Sequence, residues 1–219
     1  LPISDYIFAD YIETNLFIQD SSQKTKNFQH RSDNNVMRQR DISFGTSLMG
    51  IDTSLKKMLD SEKFSHYLHI GFEMSSSEIE SRYLLTDFLE DGRVLRDDRN
   101  SMAPSDAFEL GLYILDEITF GEEEEWILSP SLRFDFYEVQ PKSNEVFMAN
   151  SANIGFTPVD YKNEVLGTPG VSLIHRFTNE VNYYFSYNRG IRNPTAEELN
   201  GFFEHPPTSS TTSSFIIDA

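Results

Sequence analysis

Between residues 108 and 136, large apolar side chains fall on every second position. Phe108, Leu110, Leu112 and Ile114 alternate with Glu109, Gly111, Tyr113 and Leu115. Phe120-Gly121-Glu122 opens a polar turn, Trp126 starts the return, and there Leu128, Leu132, Phe134 and Phe136 oppose Ser129, Ser131, Arg133 and Asp135. A period of two is the signature of a strand. An Arg and an Asp two apart share a face, and burying that face in a dry core is costly. The hairpin therefore needs an apolar medium on one side and water on the other.

The same alternation recurs along the chain, giving about eight strand candidates, each near the ~9–11 residues of a tilted membrane strand. Tyr11–Gln19 is the first, with a turn expected at Ser21-Ser22. Lys24–Arg31, polar on both faces, reads as an edge, a bulged strand or a loop margin. After the polar run Ser32–Arg40, Ile42, Phe44, Thr46 and Leu48 oppose Ser43, Gly45 and Ser47. Asp52–Lys63, with Leu55, Met58 and Leu59, reads as a loop or a short helical turn. Leu68, Ile70, Phe72 and Met74 oppose Tyr67, His69, Gly71 and Glu73. Residues 76–105 read as a long charged connection of the kind that joins barrel strands on the outer side. A last hairpin pairs Val171–Phe177 with Val181–Tyr187 across Thr178-Asn179-Glu180. In its second strand Val181, Tyr183, Phe185 and Tyr187 face away from Asn182, Tyr184, Ser186 and Asn188. Short turns at 121–125 and 178–180 thus alternate with long loops at 76–105, 138–165 and from 188 onward, the asymmetry of an outer-membrane barrel.

Composition narrows the function classes. No run approaches the ~18–20 apolar residues of a membrane helix, while a barrel keeps a low mean hydropathy, here −0.43. The net charge of −17 argues against a nucleic-acid partner, which needs a basic stripe. Acidic residues gather in Glu122–Glu125, Ser77–Asp98 and Asp5–Asp20 and read as solvated loops. Without cysteine there is no disulfide, thiolate metal site or cysteine nucleophile. No His-Glu-x-x-His, Gly-x-Ser-x-Gly or phosphate-binding glycine loop occurs, so the chain reads as a non-enzyme. The N-terminus has no charged segment followed by an apolar one, so no signal peptide is expected within the chain. His66 and His69 fall on opposite strand faces and cannot act as a metal pair, and His30 and His175 lie in strand candidates.

Three stretches resemble the TonB-dependent outer-membrane receptors, and among them the haem/haemoglobin/transferrin/lactoferrin group. Leu112–Ile118 is similar to that group's Tyr-x-x-Asp-Glu strand, and Leu128–Tyr137 to its next strand, which ends Leu-Arg-Tyr-Asp-Tyr-Tyr. Tyr187–Leu199 resembles the block Tyr-x-Arg-Gly-Phe-Arg-Ala-Pro-x-x-x-Glu-Leu, with Arg189, Gly190, Arg192 and Pro194 on its fixed positions and Ile191 and Asn193 replacing Phe and Ala. The Asn-Pro-x-Leu block that follows in the group is not reached by Ala219.

The resemblance implies an all-β fold: an antiparallel transmembrane β-barrel segment, part of a barrel of about 22 strands around a plug. Residues 1–219 then form a partial barrel domain without the plug or the closing C-terminal strands. It further implies a monomeric importer in the outer membrane of a Gram-negative bacterium. Partners would be outer-membrane lipid, the TonB complex reached through the plug, and haem or a haem- or iron-carrying host protein. No permanent cofactor is implied; haem is cargo. The matching axial ligand is His205, in Phe203-Glu204-His205-Pro206. Two alternatives stand beside this: a receptor for a ferric siderophore or another nutrient, and a soluble all-β binding module or adhesin.

Overall fold

The computed structural model describes residues 8–32, 35–100, 102–142, 145–149, 157–163, 165–178 and 180–200. They form one antiparallel sheet bent into a half-barrel. Its strands are β1 (Tyr11–Arg31), β2 (Val36–Asp60), β3 (Phe64–Phe88), β4 (Val94–Arg99), β5 (Ser105–Phe120), β6 (Trp126–Pro141), β7 (Tyr161–Lys162), β8 (Leu166–Arg176) and β9 (Asn182–Asn188). The short helices α1 (Glu145–Ala149) and α2 (Ala196–Asn200) lie in the connections. The order is β1-β2-β3-β5-β6-β8-β9, with β4 beside β3 and β7 beside β6. Each main strand pairs with its chain neighbour, an up-and-down meander. β1 and β9 pair on one side only among the described residues.

Several expectations need correction. The proposed turn at Ser21-Ser22 does not form, because β1 runs unbroken for 21 residues and pairs with β2 throughout. Asp52–Asp60 is neither loop nor helix but the lower end of the 25-residue β2. Ser76–Phe88 continues β3, and β4 returns beside it across a turn at 89–93, where Gly92 takes φ +82°. The supposed connection 76–105 is therefore mostly sheet. β4 and β5 follow the same edge of β3 in succession, interrupted at 100–104, where Pro104 has no N–H to offer a ladder. In these places the alternation is weak or broken: the inner Ile79, Tyr83 and Leu85 of β3 are interrupted by Ser81, and on the outer face of β2 Leu55 and Leu59 are separated by Lys57.

Short connections gather at one end of the sheet. Ser61 N–H donates to Phe64 O at 2.9 Å, and its hydroxyl accepts from Phe64 N–H at 3.2 Å, closing the β2–β3 turn. Gly121, at φ +107°, turns β5 into β6. Thr178 Oγ1 accepts from the N–H groups of Glu180 and Val181 at 3.2 and 3.0 Å, a side-chain-stabilised turn. The opposite end carries the β1–β2 connection at 32–35, the turn at 89–93, the connection at 142–165 and the stretch after β9.

The register separates two faces. On one lie Leu16, Ile18, Ile51, Met49, Leu68, Ile70, Phe72, Met74, Leu110, Leu112, Ile114, Leu132, Phe134 and Phe136, many of them exposed, with Leu16 at 78% and Ile18 at 83%. Near the short turns this band ends in touching rings. Phe64 lies 6.0 Å from Phe120, Phe120 stacks on Trp126 at 6.2 Å, and Trp126 stacks on His175 at 3.9 Å. Beyond His175 come Phe177 and Tyr183, at 6.1 and 6.4 Å. His66 and Asp116 also sit on this face and bind each other at 2.8 Å. An exposed apolar band bordered by an aromatic girdle is built for hydrocarbon.

The other face is concave and polar. Tyr113 lies across Gly71, where a Cβ would stand 2.8 Å from Thr53 O, and Phe17 lies across Gly50 in the same way. Glycine spanned by a neighbouring ring lets a sheet curve tightly there.

Candidate functional site: the inner wall and its loops

Side chains on the concave face meet in a space of about 650 Å³, lined by Asp52, Glu73, Glu109, Arg133 and Asp135 and by Ile191 and Asn193 from the stretch after β9. The expected Arg and Asp pair is here. Arg133 donates to Asp135 at 2.7 Å and reaches across β5 to Glu73 at 2.8 Å. It passes over Gly111, whose missing side chain leaves room for the guanidinium. His69 meets the edge of Tyr113 at 5.3 Å and lines this wall, while His66 faces the other way. Asp52 Oδ1 and His69 Nε2 are enclosed without a hydrogen-bond partner among the described residues. The wall is thus predominantly acidic, with polar atoms directed toward the interior.

The stretch 189–200 folds back over this wall. Ala196, 1% exposed, joins Met102, Ala107, Tyr137 and Val139 in a small core, with Leu199 packed against it. Arg192 is paired with the Glu198 carboxylate. Glu198 also accepts from Thr195 N–H at 2.9 Å, and Thr195 Oγ1 accepts from Glu198 N–H at 3.2 Å. That reciprocal exchange is a capping box, and it starts α2. Backbone donors and Arg192 together hold the Glu198 carboxyl below the ordinary carboxylate range. Pro194 is half-buried ahead of the cap, and Arg189 and Gly190 are exposed, with Arg189 N–H bonded to Pro169 O at 3.2 Å. Of the four motif residues, Arg192 thus pairs with the capping Glu198 and Arg189 anchors the loop through its backbone. His205 lies outside the described residues.

Two asparagines escaped sequence reasoning. Asn200, fully buried, accepts from Val159 N–H at 2.8 Å and donates to Val159 O at 3.0 Å, as a strand neighbour would. Asn163 accepts from Tyr137 N–H at 2.7 Å and donates to Asn193 Oδ1 at 3.3 Å. They tie the 157–163 and 189–200 segments to each other and to β6. Nothing in their sequence context marks an asparagine as a backbone mimic. The capping box was readable as Thr195-Ala196-Glu197-Glu198.

Among the described residues no group of three or more His, Asp or Glu could hold a metal ion, and no helix is long and apolar enough to cross a membrane.

A sheet with an exposed apolar outer band, an ionic inner wall and loops folded inward matches a known architecture. The family model for the TonB dependent receptor-like β-barrel matches residues 5–216. The chain belongs to this family. Among solved structures, this receptor barrel is similar to the unliganded ferric citrate transporter FecA, with a TM-score of 0.55 at 14% identity, covering 79% of this chain and 24% of that one. It is also similar to BauA, the ferric preacinetobactin receptor from Acinetobacter baumannii, with a TM-score of 0.45 at 14% identity, covering 96% and 31%. The chain therefore spans 24% and 31% of those two receptors. No curated protein sequence matches it.

Proposed function

We propose that this chain is a wall segment of a monomeric receptor in the outer membrane of a Gram-negative bacterium, importing an iron-bearing ligand with energy from the TonB complex. The observation that carries the reading is the division of one sheet into a lipid-type face and an ionic face. An open sheet would leave edge N–H and C=O groups unpaired in hydrocarbon, so β1 and β9 require further strands to close the barrel. The plug and those closing strands belong to the longer receptor. Its role is transport, with no reaction at the wall and no resident cofactor.

The cargo reading is haem, free or delivered by a host carrier protein, with His205 as an axial ligand to its iron. What supports it is the resemblance of the Arg189–Leu199 block, which His205 follows in the sequence, to the corresponding stretch of the haem receptor group. A ferric chelate is an equally good reading, favoured by the likeness to a ferric citrate transporter. Titration of the full-length receptor with haem and with ferric citrate separates them. A Soret shift lost in His205→Ala supports haem. Ferric citrate binding with a Soret response indifferent to His205→Ala overturns it.

A further inference from the structure

The distal ends of β1 to β4 extend well past the apolar band, yet they carry large exposed apolar side chains. His30, Met37, Phe88 and Val94 are register neighbours on the outer face, and Phe28 lies one pair below His30. Phe28 is 63% exposed, Val94 48%, Met37 43% and Phe88 40%. This row stands in water, where such a cluster has no lipid to meet. Exposed apolar clusters of this kind mark contact surfaces.

The charge around it is inverted. Residues 24–41 and 82–99 hold nine of the chain's 18 Lys and Arg against seven Asp and Glu, while the rest carries nine against 28. On the same outer face Lys24 and Arg96 are exposed and have no counter-ion among the described residues. Lys26 lies 3.6 Å from Asp41, and Arg82 is paired with Asp98. Between this end and the apolar band the outer face presents Asp20, Glu78, Glu80, Asp106 and Glu138. Lys142 is bonded there to Glu78 and Asp106 and Lys162 lies 3.9 Å from Glu138, so a phosphorylated glycolipid beside this stretch would meet five carboxylates against two lysines that those carboxylates already hold. A partner arriving from outside the cell meets the basic, apolar end first.

From this geometry we infer that the distal outer face of β1–β4, centred on Phe28, Met37, Phe88 and Val94, docks an acidic carrier protein that delivers the cargo. This deepens the uptake reading and rests on it. Apolar residues at the centre supply the burial, and Lys24 and Arg96 at the rim steer the approach.

Full-length receptor in lipid nanodiscs, probed with serum albumin as the acidic carrier, tests it; haem-loaded and empty albumin are compared by biolayer interferometry. Wild type retains both forms, and retention weakens as salt is raised. Phe28→Ser and Phe88→Ser each reduce affinity about tenfold. Arg96→Glu reduces it by a similar factor, of order tenfold, and flattens the salt dependence. Free haem binding stays at the wild-type level in all three. Heat-modifiable electrophoretic mobility confirms that each variant is folded. Failure of wild type to retain albumin overturns the proposal, as does wild-type affinity in the folded variants. Substitutions that reduce binding of lipopolysaccharide and spare albumin overturn it in favour of a glycolipid face. Retention of empty albumin by a receptor that binds no haem removes the haem cargo and leaves the docking surface standing.

Discussion

The lower and upper halves of β3 share one unbroken ladder and differ in everything their outer side chains do. From Phe64 to Met74 the outer residues are Phe64, His66, Leu68, Ile70, Phe72 and Met74; from Ser76 to Arg82 they are Ser76, Glu78, Glu80 and Arg82, followed by Leu84, Thr86 and Phe88. The backbone continues with the same partner, β2, so hydrogen bonding does not set the boundary. Solvent does. The lower run has the ~9–11 residues that a tilted strand needs to cross hydrocarbon, and the rest is a ribbon standing in water. One strand can thus be specified by burial in one half and by pairing alone in the other.

The strongest way to break this contrast is a charge on each half of the outer face. Leu112→Arg, in the middle of the apolar band, is expected to destabilise the membrane-inserted receptor by about 2–4 kcal/mol. Ser43→Arg, on the same face of β2 beyond the band, should leave stability within about 0.5 kcal/mol of wild type. Urea unfolding in lipid vesicles, followed by heat-modifiable mobility, measures both. Equal losses would mean that the boundary is misplaced.

The loops over the inner wall offer the next largest effect. Asn200→Ala removes both bonds to Val159, and at about 0.5–1.5 kcal/mol for each hydrogen bond the docking of this segment loses about 1–3 kcal/mol. Hydrogen exchange should then quicken in 157–163 as well as in 195–200. Quickening confined to 195–200 would show that the two segments are not coupled. Thr195→Ala, which removes the cap alone, is expected to cost about 1 kcal/mol, with its effect confined to α2.

The same contrast explains what the sequence made legible. The β5–β6 hairpin could be read because Phe108–Ile114 and Leu128–Phe136 alternate against polar partners, and alternation exists only where one face leaves water. Lys24–Arg31 is polar at all but Phe28, and in Ser76–Phe88 the inner Ile79, Tyr83 and Leu85 are broken by Ser81 and matched by Leu84 and Phe88 outside, so these strands carry only a weak periodic mark, and ordinary turn residues such as Ser21 and Ser22 sit in mid-strand. On the inner wall, Arg133 and Asp135 were legible because paired charges inside an apolar strand demand an aqueous face. Glu73, the third member, was not, since its link to Arg133 depends on a register spanning 60 residues. The motif residue Arg192 was found by resemblance, and its pairing with Glu198 at the start of α2 is a contact that no spacing encodes.

Pairing by charge rather than by burial makes the upper half responsive to pH, and this gives the smallest and most selective expected effect. Arg38 donates to Asp87 at 2.7 and 2.6 Å, and Arg82 is bonded to Asp98, tying β2, β3 and β4 together. Arg38 holds the Asp87 carboxyl below its ordinary value of 3.8, with Arg31 and Arg40 adding to the shift, and Arg82 does the same for Asp98. A carboxyl whose folded value is depressed binds protons more readily when unfolded, so its contribution is complete above about 3.8 and disappears as pH falls through the lower folded value. Amide exchange in Val94–Arg99, corrected for its intrinsic pH dependence, should therefore accelerate on acidification below the ordinary carboxylate range. Phe64–Met74, held by hydrocarbon, should keep its protection over the same range. Arg82→Gln should abolish the acid-induced onset of β4 fraying, because Asp98 then has no folded-state shift to lose. An onset unchanged by that substitution would mean that β4 is held by its ladder to β3 alone, and the division between a burial-fixed and a charge-fixed half would have to be redrawn.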